Sequence, residues 1–385
     1  MNRLAAALLV AAALRVCAIA VSDREVADVL RYRKVADHVL DVSLNPYQAP
    51  RLYPYPPVWV WVEAGAGWAS RHSALPFSML MKLPTLAADL FIVAWLYRRT
   101  RAGAWIYALH PVALMVGAFH GQFDATALAF VLAALGALEK ERPDRAALCL
   151  AASIALKSFP VLLLPLFLLE RPGGRARVRF AALALLPVAA LVMPYALHDP
   201  GAVRRELLGY GGVADFGWIG VWRALHFLMT NALARSEAAR WPLAVAVGKA
   251  LFLAAYAAAL LAFARRRAPL ARACLVTFLL FLTLYGAISA QYLLWVVPLA
   301  CLWPNRWMAL HGAACTLALA GFYCFLAPGV LFSGDGPLRL ETSALMWVAG
   351  IVLVLLTGAL WLALLLAGRG NGHLGVWGQR ARSAR

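Results

Sequence analysis

Residues 101–142 read RAGAWIYALHPVALMVGAFHGQFDATALAFVLAALGALEKER. Two apolar runs, 104–119 and 123–138, flank the polar turn His120-Gly121-Gln122-Phe123-Asp124, and charges close both outer ends. A bilayer span needs about 20 apolar residues, fewer where a helix is short or abuts a re-entrant piece. In lipid only a helix or a closed barrel satisfies its own backbone polar groups. The stretch therefore reads as a helical hairpin, with its turn at one membrane face and its charged ends at the other.

The same pattern extends in both directions. Spans are expected near 4–21, 76–97, 104–119, 123–138, 146–156, 159–169, 180–197, 243–263, 272–289, 290–304, 307–326 and 343–367. The pair 146–156 and 159–169 is interrupted at Lys157-Ser158 and is taken as two crossings. Residues 4–21 read as a retained first helix rather than a cleaved signal peptide. The expected fold class is an all-α polytopic membrane protein of about 12 transmembrane helices, a single unit over 1–385.

Composition agrees. Of 385 residues, 63% are hydrophobic and only 14% charged, against roughly 25% charged in a soluble domain. The formal charge of +18 does not point to nucleic acid, because the basic residues punctuate apolar runs. They cluster at Arg98-Arg99-Thr100-Arg101, 175–179, Arg265-Arg266-Arg267 and the tail 369–385. With both termini cytoplasmic, every cluster falls inside, as the positive-inside rule requires. Most acids then fall outside, including Asp23, Glu25, Asp28, Asp37, Asp41, Asp124, Asp199, Glu206, Asp215, Asp335 and Glu341. Membrane lipids with anionic headgroups are the partners this implies. The first outer loop is large, 22–75. A second outer region covers 198–242, with a helix near 218–229, and a third covers 327–342; the tail 368–385 is cytoplasmic. Residues 57–70, with Trp59, Trp61 and Trp68, read as an interfacial helix. The Ala- and Arg-rich composition suggests a bacterial plasma membrane. Six cysteines, none in a Cys-x-x-Cys, read as small buried hydrophobes.

Charges near the membrane but outside the cytoplasmic clusters are the functional candidates. If residues 23–32 are helical, Asp28, Arg31 and Tyr32 share one face, as a general base with a cation or as a solvated ion-pair surface. Asn45-Pro46-Tyr47 and Tyr53-Pro54-Tyr55-Pro56-Pro57 form a rigid loop, whose tyrosines either stack on a sugar or shape the loop. His120, Gln122 and Asp124 gather in one turn; two candidate metal ligands without a third do not make a metal site. Lys157 stands alone between apolar segments, either snorkelling or meeting a lipid phosphate. Lys82 and Asp89 share a helix face and suggest an intramembrane ion-pair network. Gln291-Tyr292 opens a late span. Arg204, Arg205 and Arg223 are further candidates for an anion.

These groups, in this order, resemble the polyprenyl-phosphate-sugar-dependent glycosyltransferases of the GT-C superfamily. Glycosyltransferase family 87 and the mannosyltransferase of GPI-anchor synthesis are the nearest. The resemblance runs through Asp28-x-x-x-Tyr32, Asn45-Pro46-Tyr47, Tyr55-Pro56-Pro57, Lys82 to Asp89, His120-Gly121-Gln122-Phe123-Asp124 and Lys157-x-x-Pro160, and more weakly through Ser289-Ala290-Gln291-Tyr292. It implies transfer of a sugar, often mannose, from a polyprenyl phosphate to a glycan or glycolipid acceptor outside the membrane, with inversion. It implies Asp28 as base, Lys157 and Arg31 on the leaving phosphate, and Tyr32, Tyr55, His120, Gln122, Asp124, Gln291 and Tyr292 around the sugars. The first loop lacks an Asp-x-Asp, so no divalent metal or other cofactor is assigned. Asp23, Glu25, Asp37 and Asp41 compete with Asp28 as base. A lipid-linked-sugar flippase or other transporter is the alternative from a different class, although no repeats or paired broken helices suggest one; a non-catalytic assembly partner is the third.

Overall fold

The computed structural model describes residues 3–25, 28–49, 52–266, 268–332 and 337–367. Asp335, Arg267 and the basic tail 368–385 lie outside the described residues. Those that are described form helices joined by turns and loops, with no strand and two isolated bridges.

The principal helices are α1 (Arg3–Val21), α2 (Asp28–Asp41), α3 (Val58–Arg71), α4 (Phe77–Tyr97), α5 (Arg101–Leu109), α6 (Asp124–Glu139) and α7 (Pro143–Leu156). They continue with α8 (Gly173–His198), α9 (Gly217–Thr230), α10 (Pro242–Arg266), α11 (Leu270–Leu284), α12 (Arg306–Leu326) and α13 (Leu340–Leu366). Six of these, α1, α4, α8, α10, α12 and α13, are long and apolar enough to cross a membrane. A seventh span arises if α5 and the bent segment Pro111–Phe119 are one crossing, with a 49° bend between them. Shorter apolar helical pieces cover Phe159–Leu169, Leu270–Leu284 and Ala290–Ala300. This is the architecture of a polytopic membrane protein; the expected spans at 272–289 and 290–304 are helical only over Leu270–Leu284, Ala290–Leu294 and Val297–Ala300.

The helices begin and end where local chemistry dictates. Thr100 caps α5 by accepting from the Gly103 N–H at 3.2 Å, and Asn305 caps α12 by accepting from Trp307 and Met308. Lys157, between α7 and the turn at Phe159, is extended at φ −150° and ψ 135°. Leu114–Phe119 winds as a π-segment directly before the turn at His120, a distortion common where helices serve sites.

The interfacial reading of 57–70 is a helix in the structure, and its three tryptophans divide. Trp61 and Trp68 are exposed on one face, while Trp59 is fully buried and stacks on Phe123 at 4.0 Å between ring centroids. The helix expected near 218–229 is α9, and its Arg223 is buried. Four cysteines are buried as expected, whereas Cys17 is exposed on α1.

The intramembrane ion pair is not the one the spacing suggested. Asp89 is taken by Arg15 of α1, whose Nε lies 2.7 Å from Asp89 Oδ2, and the Tyr107 hydroxyl donates to Oδ1 at 2.5 Å. Lys82 points one turn outward of Thr85 and donates to the Ser22 carbonyl and hydroxyl at 2.5 and 2.8 Å. A helix face aligns residues seven apart only in direction; along the axis they stand about 10 Å apart, too far to pair.

Candidate active site

The site forms where α2, the turn 120–124 and the helix break at Lys157 meet. Asp28 lies in the first turn of α2, where free backbone N–H groups favour an anion. Its carboxylate accepts from the Gln122 amide and lies 3.2 Å from His120 Nε2. Arg31, one turn along, stands 3.5 Å from Asp28 Oδ1 with its side chain 56% exposed. Tyr32, on the same face, is buried and donates to Gln122 Oε1 at 3.2 Å.

The turn 120–124 serves two charge clusters. Gly121 sits at φ +81°, in the left-handed region that glycine adopts at no steric cost. That reversal aims His120 and Gln122 at Asp28 and sends Asp124 the other way. Asp124, fully buried, takes the Lys157 ammonium at 2.6 Å and the Trp295 indole N–H at 2.7 Å. Lys157 also reaches Gln122 Oε1 at 3.3 Å. Its ammonium lies 4.6 Å from the centroid of Phe123 and 5.3 Å from that of Tyr55, within cation–π range. Gln122 therefore bridges the two clusters. His120 is held from behind by the Tyr323 hydroxyl, 2.9 Å from Nδ1.

His120 and Asp124 thus face different partners, and among the described residues no group of three His, Cys, Asp or Glu side chains could hold a metal ion. Lys157 does not snorkel. It is a buried cation compensated by Asp124, so Arg31 is the more exposed cation near Asp28. Three other acids of the first loop are engaged elsewhere. Glu25 pairs with Arg33 at 2.5 Å, and Asp37 and Asp41 both pair with Arg71 at 2.6 Å on an exposed face.

The aromatic loop combines both of its readings. Tyr47 and Tyr53 are buried, and their hydroxyls donate to the Tyr55 and Pro56 carbonyls at 2.9 and 2.8 Å, so they shape the loop. Tyr55 faces Phe123, with centroids 5.0 Å apart, and reaches the site. Tyr292 packs on Trp295 at 4.2 Å and so joins through Asp124. Gln291 is buried beside it, and among the described residues no hydrogen bond joins it to the cluster. Arg204 and Arg205 are exposed on the outer loop. Arg223 is committed to Asp215 at 2.7 Å and to the Ala214 and Ala234 carbonyls.

Burial pushes the Asp28 carboxyl up, but the adjacent His120, then Arg31 and Lys157, outweigh it and lower its pKa to about 2. The group is anionic at any physiological pH. Glu63, in α3, is the opposite case. It is fully buried, neither oxygen has a hydrogen-bond partner among the described residues, and burial holds its carboxyl well above the usual range. Sequence reasoning missed Glu63, Trp295, Tyr323 and Arg15. Of these only Arg15 carried a local signal, a lone arginine inside an apolar run.

The arrangement offers a partly exposed anion, an adjacent exposed cation and a hydrogen-bonding wall, which suits proton abstraction from a hydroxyl beside a leaving anion. The family model described as Glycosyltransferase family 87 matches residues 53–286. No curated protein matches the chain. The matched segment holds Tyr55, the turn 120–124 and Lys157; Asp28, Arg31 and Tyr32 precede it, and Tyr292, Trp295 and Tyr323 follow it.

Proposed function

The chain belongs to glycosyltransferase family 87, and from that premise we propose that it transfers a sugar, mannose, from a polyprenyl phosphate to a glycan or glycolipid acceptor. The transfer takes place on the extracytoplasmic side of a bacterial plasma membrane and inverts the anomeric centre. The protein crosses the membrane about 12 times with both termini inside, the threading that separates the basic clusters from the acids of the outer loops. The observation that carries the reading is Asp28, a partly exposed carboxylate fixed by His120 and Gln122 with Arg31 one turn away.

The acceptor oxygen attacks the anomeric carbon as the bond from that carbon to the phosphate oxygen breaks. Asp28 takes the acceptor proton, and the polyprenyl phosphate leaves as an anion. A carboxylate with a pKa near 2 is a weak base. It suffices when bond cleavage runs ahead of attack, because the acceptor hydroxyl turns acidic as its new bond forms. His120, 3.2 Å away, holds the carboxylate in place. Arg31 meets the charge growing on the phosphate, and Lys157, with its partner Asp124, fixes the wall that Gln122 presents. Tyr32, Tyr55, Gln291 and Tyr292 bound the sugar space.

The test uses purified protein in liposomes with radiolabelled polyprenyl-phosphate mannose and total membrane lipid extract. The expected result is a new labelled glycolipid whose linkage is inverted relative to the donor. Movement of intact donor across the bilayer with no new glycosidic bond would instead establish the transporter, and use of a nucleotide sugar in its place would reject the donor.

A further inference from the structure

Loop 209–216 carries a carboxylate that none of the roles above uses. Asp215 is pinned from three sides. Ala214 N–H donates to the Ser236 carbonyl at 2.7 Å, Phe216 pairs with Ile288 through an antiparallel bridge, and the Trp347 indole donates to the Asp215 carbonyl at 3.1 Å. The next residue but one, Gly217, has φ +71°, and a Cβ there would lie 2.8 Å from the Gly286 carbonyl oxygen, so the backbone has no room to swing. Arg223, itself buried, clamps one carboxylate oxygen, Oδ1, at 2.7 Å and holds the Ala214 carbonyl with the same nitrogen. Among the described residues Oδ2 has no hydrogen bond, and the side chain is 17% exposed. The carboxylate stands within electrostatic reach of both Asp28 and Arg31. Tyr210, from the same loop and partly exposed, is within electrostatic reach of all three. A fixed anion with a free oxygen thus stands within electrostatic reach of Asp28.

We propose that Asp215 is a positioning residue that accepts a hydrogen bond from a hydroxyl of the incoming sugar acceptor and so sets which acceptors are taken. The inference rests on the glycosyltransferase reading. Its ligand is a neutral polyol rather than the donor phosphate, because two carboxylates around one mouth repel an anion and Arg31 is the group placed to meet it. The acceptor arrives from the aqueous side, where Tyr210 is exposed, whereas a polyprenyl donor is held at membrane depth. Burial raises the pKa of the Asp215 carboxyl, Arg223 opposes that rise and the Asp28 charge adds to it, leaving it above the usual value. Of the two acids it is therefore the one that binds a proton, or a hydroxyl hydrogen, more readily.

The experiment compares wild type, Asp215→Asn and Asp215→Glu, each purified in detergent with polyprenyl-phosphate mannose as donor. Two rates are read: hydrolysis of the donor by water, and transfer to total membrane lipid extract over a range of extract concentrations. In Asp215→Asn the half-saturating extract concentration should rise about 10- to 100-fold, the factor one charge-assisted hydrogen bond carries. Maximal transfer and donor hydrolysis should stay within about threefold of wild type. Asp215→Glu keeps the anion and should return half-saturation to within about threefold of wild type. Unchanged half-saturation in the Asn variant, or loss of hydrolysis and transfer together in both variants, overturns the proposal. A wild type that neither hydrolyses the donor nor transfers its sugar overturns the glycosyltransferase reading and this inference with it.

Discussion

Replacing Lys157 or Asp124 singly should damage the protein far more than replacing both. The two charges are 2.6 Å apart with side chains 6% and 0% exposed. At an effective dielectric of about 20 their Coulomb attraction is about 6 kcal/mol, but desolvating each ion costs several kcal/mol. The intact pair is therefore nearly balanced, while a lone survivor keeps its desolvation cost. Lys157→Met strands Asp124 with only Trp295, and Asp124→Asn strands Lys157 with only Gln122 and two ring faces. Each should lose about 3–5 kcal/mol. The double variant keeps the Trp295 bond through the Asn oxygen and leaves no uncompensated charge, so it should fall within about 2 kcal/mol of wild type. The coupling energy of the cycle, the two single losses less that of the double variant, is then at least about 4 kcal/mol. Unfolding in mixed micelles, followed by fluorescence of the buried Trp59 and Trp295, measures it. Additive losses, with a coupling under about 0.5 kcal/mol, would refute the buried pair as the organiser of this wall. The double variant, although stable, should still transfer sugar poorly, because the cation that steadies Gln122 is gone.

Other perturbations read different parts of the site. Glu63 has a raised folded pKa, so its stabilising share is complete below the unfolded value of about 4.3 and is lost as pH rises toward the folded value. Stability should fall by about 1.4 kcal/mol per pH unit across that window, and Glu63→Gln should remove that slope in thermal melts taken from pH 5 upward. Gly121→Ala puts a Cβ at 2.9 Å from Val29 and forces a φ of +81° on alanine. A loss of about 1–2 kcal/mol from the backbone should come with a drop in transfer of about tenfold or more, since Val29 adjoins Asp28 and its displacement moves the carboxylate. Wild-type stability and rate in that variant would show that the turn yields. The Asp28 pKa is depressed, so its stabilising share is present above the unfolded value of about 3.9 and is lost only as pH falls toward 2. The pH–rate profile should therefore show no acid limb from Asp28 between pH 5 and 8, and a limb that disappears in Asp28→Asn would contradict this.

The membrane architecture was legible because lipid leaves few options. Apolar runs of span length must be helices. The local face of α2 was legible for the same reason: residues three and four apart on a helix meet, which brought Asp28, Arg31 and Tyr32 together. The turn at His120 could be read as a cluster but not resolved. Only the positive φ of Gly121 shows that His120 and Asp124 part company, one toward Asp28 and the other toward Lys157. Contacts across long stretches of chain left no trace in the sequence. Trp295 on Asp124 and Tyr323 on His120 join residues 171 and 203 positions apart, and nothing in the spacing selects them from the other aromatics of an apolar chain. The Lys82–Asp89 expectation failed because one helix supplied both residues, whereas the partner of a buried charge came from a neighbouring helix, Arg15. Asp215 looked like one acid among many in the sequence; its backbone is pinned within electrostatic reach of Asp28.

The central claim, that Asp28 is the base of an extracytoplasmic glycosyl transfer, is tested most directly by the transfer rate of Asp28→Asn. The amide preserves size and can still bond to Gln122, so folding and donor binding should hold while transfer from polyprenyl-phosphate mannose falls about 10²- to 10⁴-fold. Transfer at the wild-type rate in a folded Asp28→Asn protein would contradict the claim and move the base to another acid of the outer loops.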